Sequence, residues 1–342
     1  MKAVRFHEYG GPEVLRYEDA PEPEIGPGQA LVRVRACALN RLDLWQRKGL
    51  RRVTLPMPHI SGADISGEVV AIDGGDITPG RRVMLQPGLS CGRCAACLSG
   101  QDNHCPHYDL LGYRSLDGGY AEYVKVPIQN LIALPDDVDL VAAAAFPLTF
   151  VTAWHMLVTK ARVHAGEDVL VLAAGSGVGQ AAIQVARLHG ARVFTTAGTD
   201  AKAAKALELG AQAVINHRTQ NFADEIKKLT DRRGVDIVIE HVGEATWEKS
   251  LRSLAPFGRL VTCGATTGPA GQIDLQFLFA RQLSVAGSYM GTKGELLRAA
   301  RFFVSGQLKP VIDRIYPLRE AAAAQQRLEA GEHFGKIVLQ SQ

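Results

Sequence analysis

With 342 residues, 46% of them hydrophobic and 21% charged, the chain has a globular composition and is too long for one ordinary core, which suits two domains. A formal net charge of +3 is too small to point to nucleic acid or a membrane surface as partner. The N-terminus MKAVRFHEYG lacks the apolar core of a signal peptide, and no stretch reaches the roughly 20 apolar residues of a membrane span, so a cytoplasmic location is expected.

The first third alternates or runs apolar in MKAVRF, LRYEDA, QALVRVRACAL and SGEVVAI, with prolines and glycines between the runs. RRVMLQPG and YAEYVKVP continue the pattern, which predicts a mostly antiparallel β domain over residues 1–140. Inside it, Cys91, Cys94, Cys97 and Cys105 follow a CxxCxxC spacing with seven residues before the last cysteine. Four thiolates at this spacing can converge on one tetrahedral zinc and leave no open position, so the expected metal is structural. Pro106 after Cys105 is also found in ferredoxin-like iron–sulfur runs, but the last spacing here is too long for one.

LVAAAAFPLTFVTAWHML reads as an apolar helix broken at Pro147. The apolar run 169–174 then predicts a buried strand, followed by glycines 175, 177 and 179 and a helix with Ala181, Ile183, Val185, Ala186 and Leu188. A strand at 191–196 completes the unit. Glycines in such a turn let the backbone approach a pyrophosphate, which meets free N–H groups at the positive end of the helix dipole. Further alternation predicts a helix at 202–209, a strand at 213–216, a helix at 222–229, a strand at 237–240, a helix at 245–254, and strands at 260–263 and 283–286. Six parallel strands with helices on both faces make a doubly wound α/β sheet over residues 141–292. Residues 293–342 read as helices at 294–304 and 321–329 and a strand in KIVLQ, a tail expected to return to the first domain so that the two domains enclose a cleft.

Taken together, MKAV, SGADISGEVV, the four-cysteine lobe, GGYAEY, AAGSGVGQAAIQVA and GKIVL resemble the medium-chain dehydrogenase/reductase superfamily, which holds the zinc alcohol dehydrogenases and quinone oxidoreductases. The resemblance implies a GroES-like β domain plus a Rossmann domain, a structural zinc on the four lobe cysteines, and a homodimer or homotetramer that pairs near residues 283–287. It also implies cofactor contacts at Gly175, Ser176, Gly177, Val178, Gly179, Thr196, Gly198, Lys202, His217, Val242, Gly264 and Lys336, with Lys336 near the pyrophosphate or paired with Asp64. Ala197 stands where an acidic residue would select NAD, and Lys202, His217 and Arg218 could attract a 2′-phosphate, so NADPH is expected, with NADH open and Asp200 close by.

The departures from the family bear on chemistry. Zinc-dependent members carry metal ligands at the places matched by Asn40, Ala63 and Leu148, none of which can serve as required, and a hydroxyl relay at the place matched by Leu42. Bound zinc lowers the pKa of a hydroxyl group from roughly 16 to about 7, which is about 12 kcal/mol of help in oxidising an alcohol. Reducing a double bond conjugated to a carbonyl requires only donors to a growing enolate oxygen. The expected activity is therefore NAD(P)H-dependent reduction of a small-molecule quinone or α,β-unsaturated carbonyl without a catalytic zinc, mostly through positioning of the nicotinamide. Asn40 is the first candidate for a donor in the cleft, or equally a residue that caps a turn; Gln46 and Thr152 are further candidates for substrate and nicotinamide contact. Cys37 and Cys263 read as buried thiols, and His59 with Asp64 could form an atypical metal site. Two other functions stay open at this point: an alcohol dehydrogenase with atypical zinc ligands, and a non-catalytic NADPH-binding protein akin to lens crystallins.

Overall fold

A computed structural model describes residues 1–50 and 53–341. The chain forms two compact units, Met1–Leu148 with Thr292–Gln342, and Thr149–Gly291.

In the first unit, β1 (Lys2–Arg5) and β2 (Arg16–Asp19) make an antiparallel ribbon. Its main sheet is built on β3 (Gln29–Ala38), whose alternating side chains place Ala30, Val32, Val34 and Ala36 in the interior. Against β3 lie β4 (Asp64–Ile72) on one side and, on the other, β8 (Tyr123–Pro127) along its first half; β5 (Arg82–Leu85) and β9 (Leu131–Ala133) extend the sheet beyond β4. A short pair, β6 (Gly88–Leu89) with β7 (Asp109–Leu110), flanks the cysteine lobe, whose α2 (Ala95–Leu98) is one turn long. α1 (Arg41–Lys48) follows β3 directly.

The tail returns to this unit. After α10 (Lys293–Val304), strand β16 (Ile312–Pro317) and helix α11 (Ala321–Ala330), β17 (Lys336–Gln340) pairs with β3, Val338 opposite Ala38. α3 (Leu140–Ala145), capped by the Asp139 carboxylate on the N–H groups of Val141 and Ala142, packs Ala144 and Ala145 against Ala36, Ala38 and Val338. The boundary read at 140/141 is thereby corrected. α3 is held in the first unit because its small apolar face fits the alanines of β3, and the chain leaves that unit after Leu148. Pro147 opens α4 (Pro147–Trp154), the break expected there, and a π-helical turn over His155–Lys160 follows.

The second unit is the doubly wound sheet. Its strands β10 (Asp168–Val171), β11 (Arg192–Ala197), β12 (Ala213–Asn216), β13 (Val235–Glu240), β14 (Leu254–Thr262) and β15 (Ser284–Gly287) are parallel in the order β12-β11-β10-β13-β14-β15. The intervening helices are α5 (Gly177–Leu188), α6 (Asp200–Glu208), α7 (Phe222–Leu229), α8 (Trp247–Arg252) and α9 (Leu275–Ala280). Leu170, Phe194, Ile226, Val238 and Leu260 form the core of one face. β14 begins six residues before its expected start and shortens α8, since the chain re-enters the sheet at Leu254 and makes an irregular turn at Phe257, where φ is 64°. The β15 edge has Leu275 and Phe279 of α9 exposed nearby in sequence.

Candidate active site and metal centre

The dinucleotide-type turn stands at the C-terminal end of β10. The Ser176 hydroxyl oxygen accepts the Gly179 N–H at 2.8 Å and so caps α5, leaving the first turn of the helix with further N–H groups to offer an anion. A Cβ at Gly179 would lie 2.2 Å from the Ala173 carbonyl oxygen, so the third glycine is what lets the helix approach the strand. Thr196 accepts the Ala173 N–H on its hydroxyl at 2.9 Å; buried there, it braces the turn from β11. Most of the residues expected to contact a cofactor lie at the C-terminal ends of the parallel strands, whereas Lys336 lies on β17 of the first unit. Gly175, Ser176, Gly177, Val178 and Gly179 follow β10, Val242 follows β13, and Gly264 follows β14. The buried Glu240 carboxylate fixes the second of these turns by accepting from the N–H groups of Val242 and Gly243 and from the hydroxyls of Thr246 and Ser250. His241, which the sequence reading did not assign, places Nε2 3.1 Å from the Ser176 oxygen.

At the end of β11, a Cβ on Gly198 would meet Arg218 Nε at 3.2 Å and His217 Nε2 at 3.3 Å, so both side chains lie over this glycine. Partial loss of solvent around the ring, then the charges of Arg218 and Lys202, hold the His217 imidazole below its ordinary pKa. Asp200 is the nearby acid; its Oδ1 lies 3.5 Å from Asn216 Nδ2.

The second cluster is buried in the first unit, where α1, β4 and β17 meet around β3. Lys336 Nζ donates to Asn40 Oδ1 at 2.7 Å and to Asp64 Oδ2 at 2.9 Å. Asn40 Nδ2 donates to the same Asp64 oxygen at 3.0 Å and to the Ala38 carbonyl at 3.4 Å, and the Leu148 N–H reaches Asp64 Oδ1 at 2.8 Å. Asp64 is 0% exposed and Lys336 2%. Gly62, at φ 108°, is required beside them, because a Cβ there would sit 2.6 Å from Cys37 Sγ and from the Tyr120 ring. Below lies Asp43, whose Oδ2 accepts from the Asn40 N–H at 2.8 Å and from the Tyr120 hydroxyl at 3.0 Å. Burial pushes its carboxyl up to about 6 against those two hydrogen bonds.

Two expectations change here. The Asn40 amide is committed on both its nitrogen and its oxygen, so it acts as a strut of this network instead of offering a donor to substrate. Gln46 is 0% exposed and donates to the Gly112 carbonyl at 2.6 Å, because it projects from the buried face of α1 into the neighbouring loop; it fixes that loop and is no substrate contact. Lys336 has the Asp64 pairing. Thr152 is buried in α4. His59 is buried against Phe6, with its Nε2 at the Gly112 carbonyl, 3.1 Å away, and burial lowers its pKa to about 4. Cys37 is buried as expected, whereas Cys263 is half-buried.

The cysteine lobe has a different chemistry. The sulfurs of Cys91, Cys94, Cys97 and Cys105 all lie within 4.8 Å of one another, with Cys94 to Cys97 at 3.5 Å and Cys91 to Cys97 at 3.9 Å. Tetrahedral zinc with sulfur at about 2.3 Å needs sulfurs about 3.8 Å apart, so the donor set fits the ion. Backbone N–H groups of Arg93 and Cys94 lower the Cys91 thiol to about 6. Among the described residues this is the one group of three or more His, Cys, Asp or Glu side chains whose ligand atoms converge.

Family models match both parts of the chain: residues 26–136 as an alcohol dehydrogenase GroES-like domain and residues 177–305 as a zinc-binding dehydrogenase. A quinone oxidoreductase from Homo sapiens is 32% identical, with 99% of this chain and 97% of the relative covered. An NAD-dependent alcohol dehydrogenase from Sulfolobus acidocaldarius is 30% identical, with 99% of both covered. Among solved structures, one titled NAD-dependent alcohol dehydrogenase is 47% identical, with a TM-score of 0.95 and 99% of each chain covered. A crotonyl-CoA carboxylase/reductase in complex with NADP is 25% identical, with a TM-score of 0.93 over 99% of this chain and 94% of its own.

Proposed function

The chain belongs to the medium-chain dehydrogenase/reductase superfamily of oxidoreductases, and on that premise we propose that it reduces a quinone or α,β-unsaturated carbonyl with NADPH, holds one structural zinc, and uses no catalytic metal. The observation that carries this reading is the Lys336–Asn40–Asp64 network. At the three places where zinc-dependent members hold their ion, Asn40 has its oxygen on an ammonium, and Ala63 and Leu148 carry no ligand atom in their side chains. When bound, the nicotinamide supplies the hydride. The residues of this chain would bind and orient it: the N–H groups of the α5 N-terminus would meet the pyrophosphate, on a turn that the Ser176 cap and the helix–strand approach at Gly179 hold in place. Arg218 and His217 over Gly198, with Lys202 close enough to act on the imidazole and Ala197 in place of an acid, support NADPH over NADH.

The test is zinc content per chain after dialysis against a weak chelator, followed by NADPH oxidation with quinones and enones. About one zinc per chain with turnover of an enone or quinone is the expected result, on the coordination argument for the lobe. The 47% identical structure favours a second reading, NAD-dependent alcohol oxidation. About two zincs per chain together with alcohol turnover would establish that reading and overturn the metal-free one.

A further inference from the structure

Arg218 and His217 converge on Gly198 within the field of Lys202, and the histidine is the member whose charge is not fixed. His217 Nε2 and Arg218 Nε both lie just over the glycine, on the turn that follows β12, and Lys202 faces them from the first turn of α6. Among the described residues no carboxylate pairs with either His217 or Arg218. The acid that faces the cluster is Asp200 of α6, set against Asn216. Like charges keep an imidazole neutral, whereas a phosphate bearing nearly two negative charges at neutral pH reverses the local field.

Resting on the NADPH reading above, we infer that His217 takes up a proton when the 2′-phosphate of NADPH binds, so that the preference of this protein for NADPH over NADH depends on pH. The proton completes a three-cation site that exists only with the phosphate in place. If the proton strengthens phosphate binding, phosphate strengthens proton binding by the same factor. Affinity for NADPH therefore falls as pH rises from about 6.5, where the phosphate is already largely dianionic and further loss of protons comes from the histidine. NADH lacks the phosphate and shows no such fall. Both side chains are exposed, so the coupling weakens with salt.

The experiment is calorimetric titration of the full-length protein with NADPH and with NADH at pH 7.5, in Hepes and in Tris buffer, together with dissociation constants from pH 6.5 to 8.5. The expected results are net proton uptake with NADPH alone, and a loss of NADPH affinity of up to about tenfold across that range, the ceiling set by a one-unit shift. In His217→Gln the uptake and the slope vanish. In Lys202→Gln, NADPH weakens at every pH while the slope stays. An unchanged slope in His217→Gln, or equal proton uptake with NADH, overturns the inference and leaves NADPH preference standing. Equal affinity for NADPH and NADH at every pH overturns both.

Discussion

The cysteine lobe and the Asn40 network belong to the same unit, and in the resemblance both match places where relatives hold zinc. In the lobe, four soft donors converge at spacings that fit the ion, and backbone N–H groups favour the thiolate at Cys91. In the network, the corresponding space is closed by an ammonium, a carboxylate and an amide that satisfy one another. One region offers sulfur donors that a metal ion would tie together, and the other supplies its own cation from β17. A bound metal would stabilise the first; the second is stable only while every member is present.

The largest test of that contrast is Lys336→Met, which leaves the Asp64 carboxylate buried and unpaired. Urea unfolding should show a loss of about 3–5 kcal/mol, and Asp64→Asn in the same chain should recover most of it. Equal instability of the single and double variants would show that volume, not charge, holds the network.

Cys94→Ser should reduce the bound zinc to a small fraction of an equivalent and lower stability by about 3 kcal/mol, or roughly 10 °C in Tm for a unit of this size. A thermal scan with an unmoved midpoint would mean that the lobe folds without its metal.

The smallest test concerns Asp43. Its folded pKa of about 6 is raised above the ordinary carboxylate value, so the protein binds more protons there when folded, and the resulting stability is present at low pH and lost as pH rises through 6. Relative to wild type, Asp43→Asn should therefore gain about 2 kcal/mol between pH 4.5 and pH 7, read from chemical unfolding at both values. A constant difference would place the Asp43 titration outside that window. His59 has the opposite sign: its lowered pKa removes stability as pH falls from the ordinary histidine value toward 4.

Most of the second unit was legible because period and glycine placement specify it locally. The strand at 213–216 and the helix at 222–229 lie where apolar spacing put them, and the tail strand was visible in KIVLQ. The cysteine spacing pointed to a convergent site for the same reason, since all four ligands sit within fifteen residues. The buried network was only partly legible. Asp64 and Lys336 are 272 residues apart and met through the family resemblance, while Asp43 with Tyr120, 77 apart, carried no local signal. Gln46 and Asn40 misled because an amide in sequence is both donor and acceptor, and only the packing of α1 shows which atoms are already used. Arg47 is the sharper case: its charge predicts a solvated face, yet it is 0% exposed, with its guanidinium on Gln325 and Glu329.

β17 gives this architecture an order in time. The strand that completes the sheet beside β3 is translated after residues 149–291, which form a unit on their own. Until residue 336 emerges, Asp64 is present without its ammonium, and β3 has an open edge along its last three residues. On the ribosome the inserted unit can therefore mature first, and the host unit closes only when the tail arrives bearing both the missing strand and the charge that its interior requires.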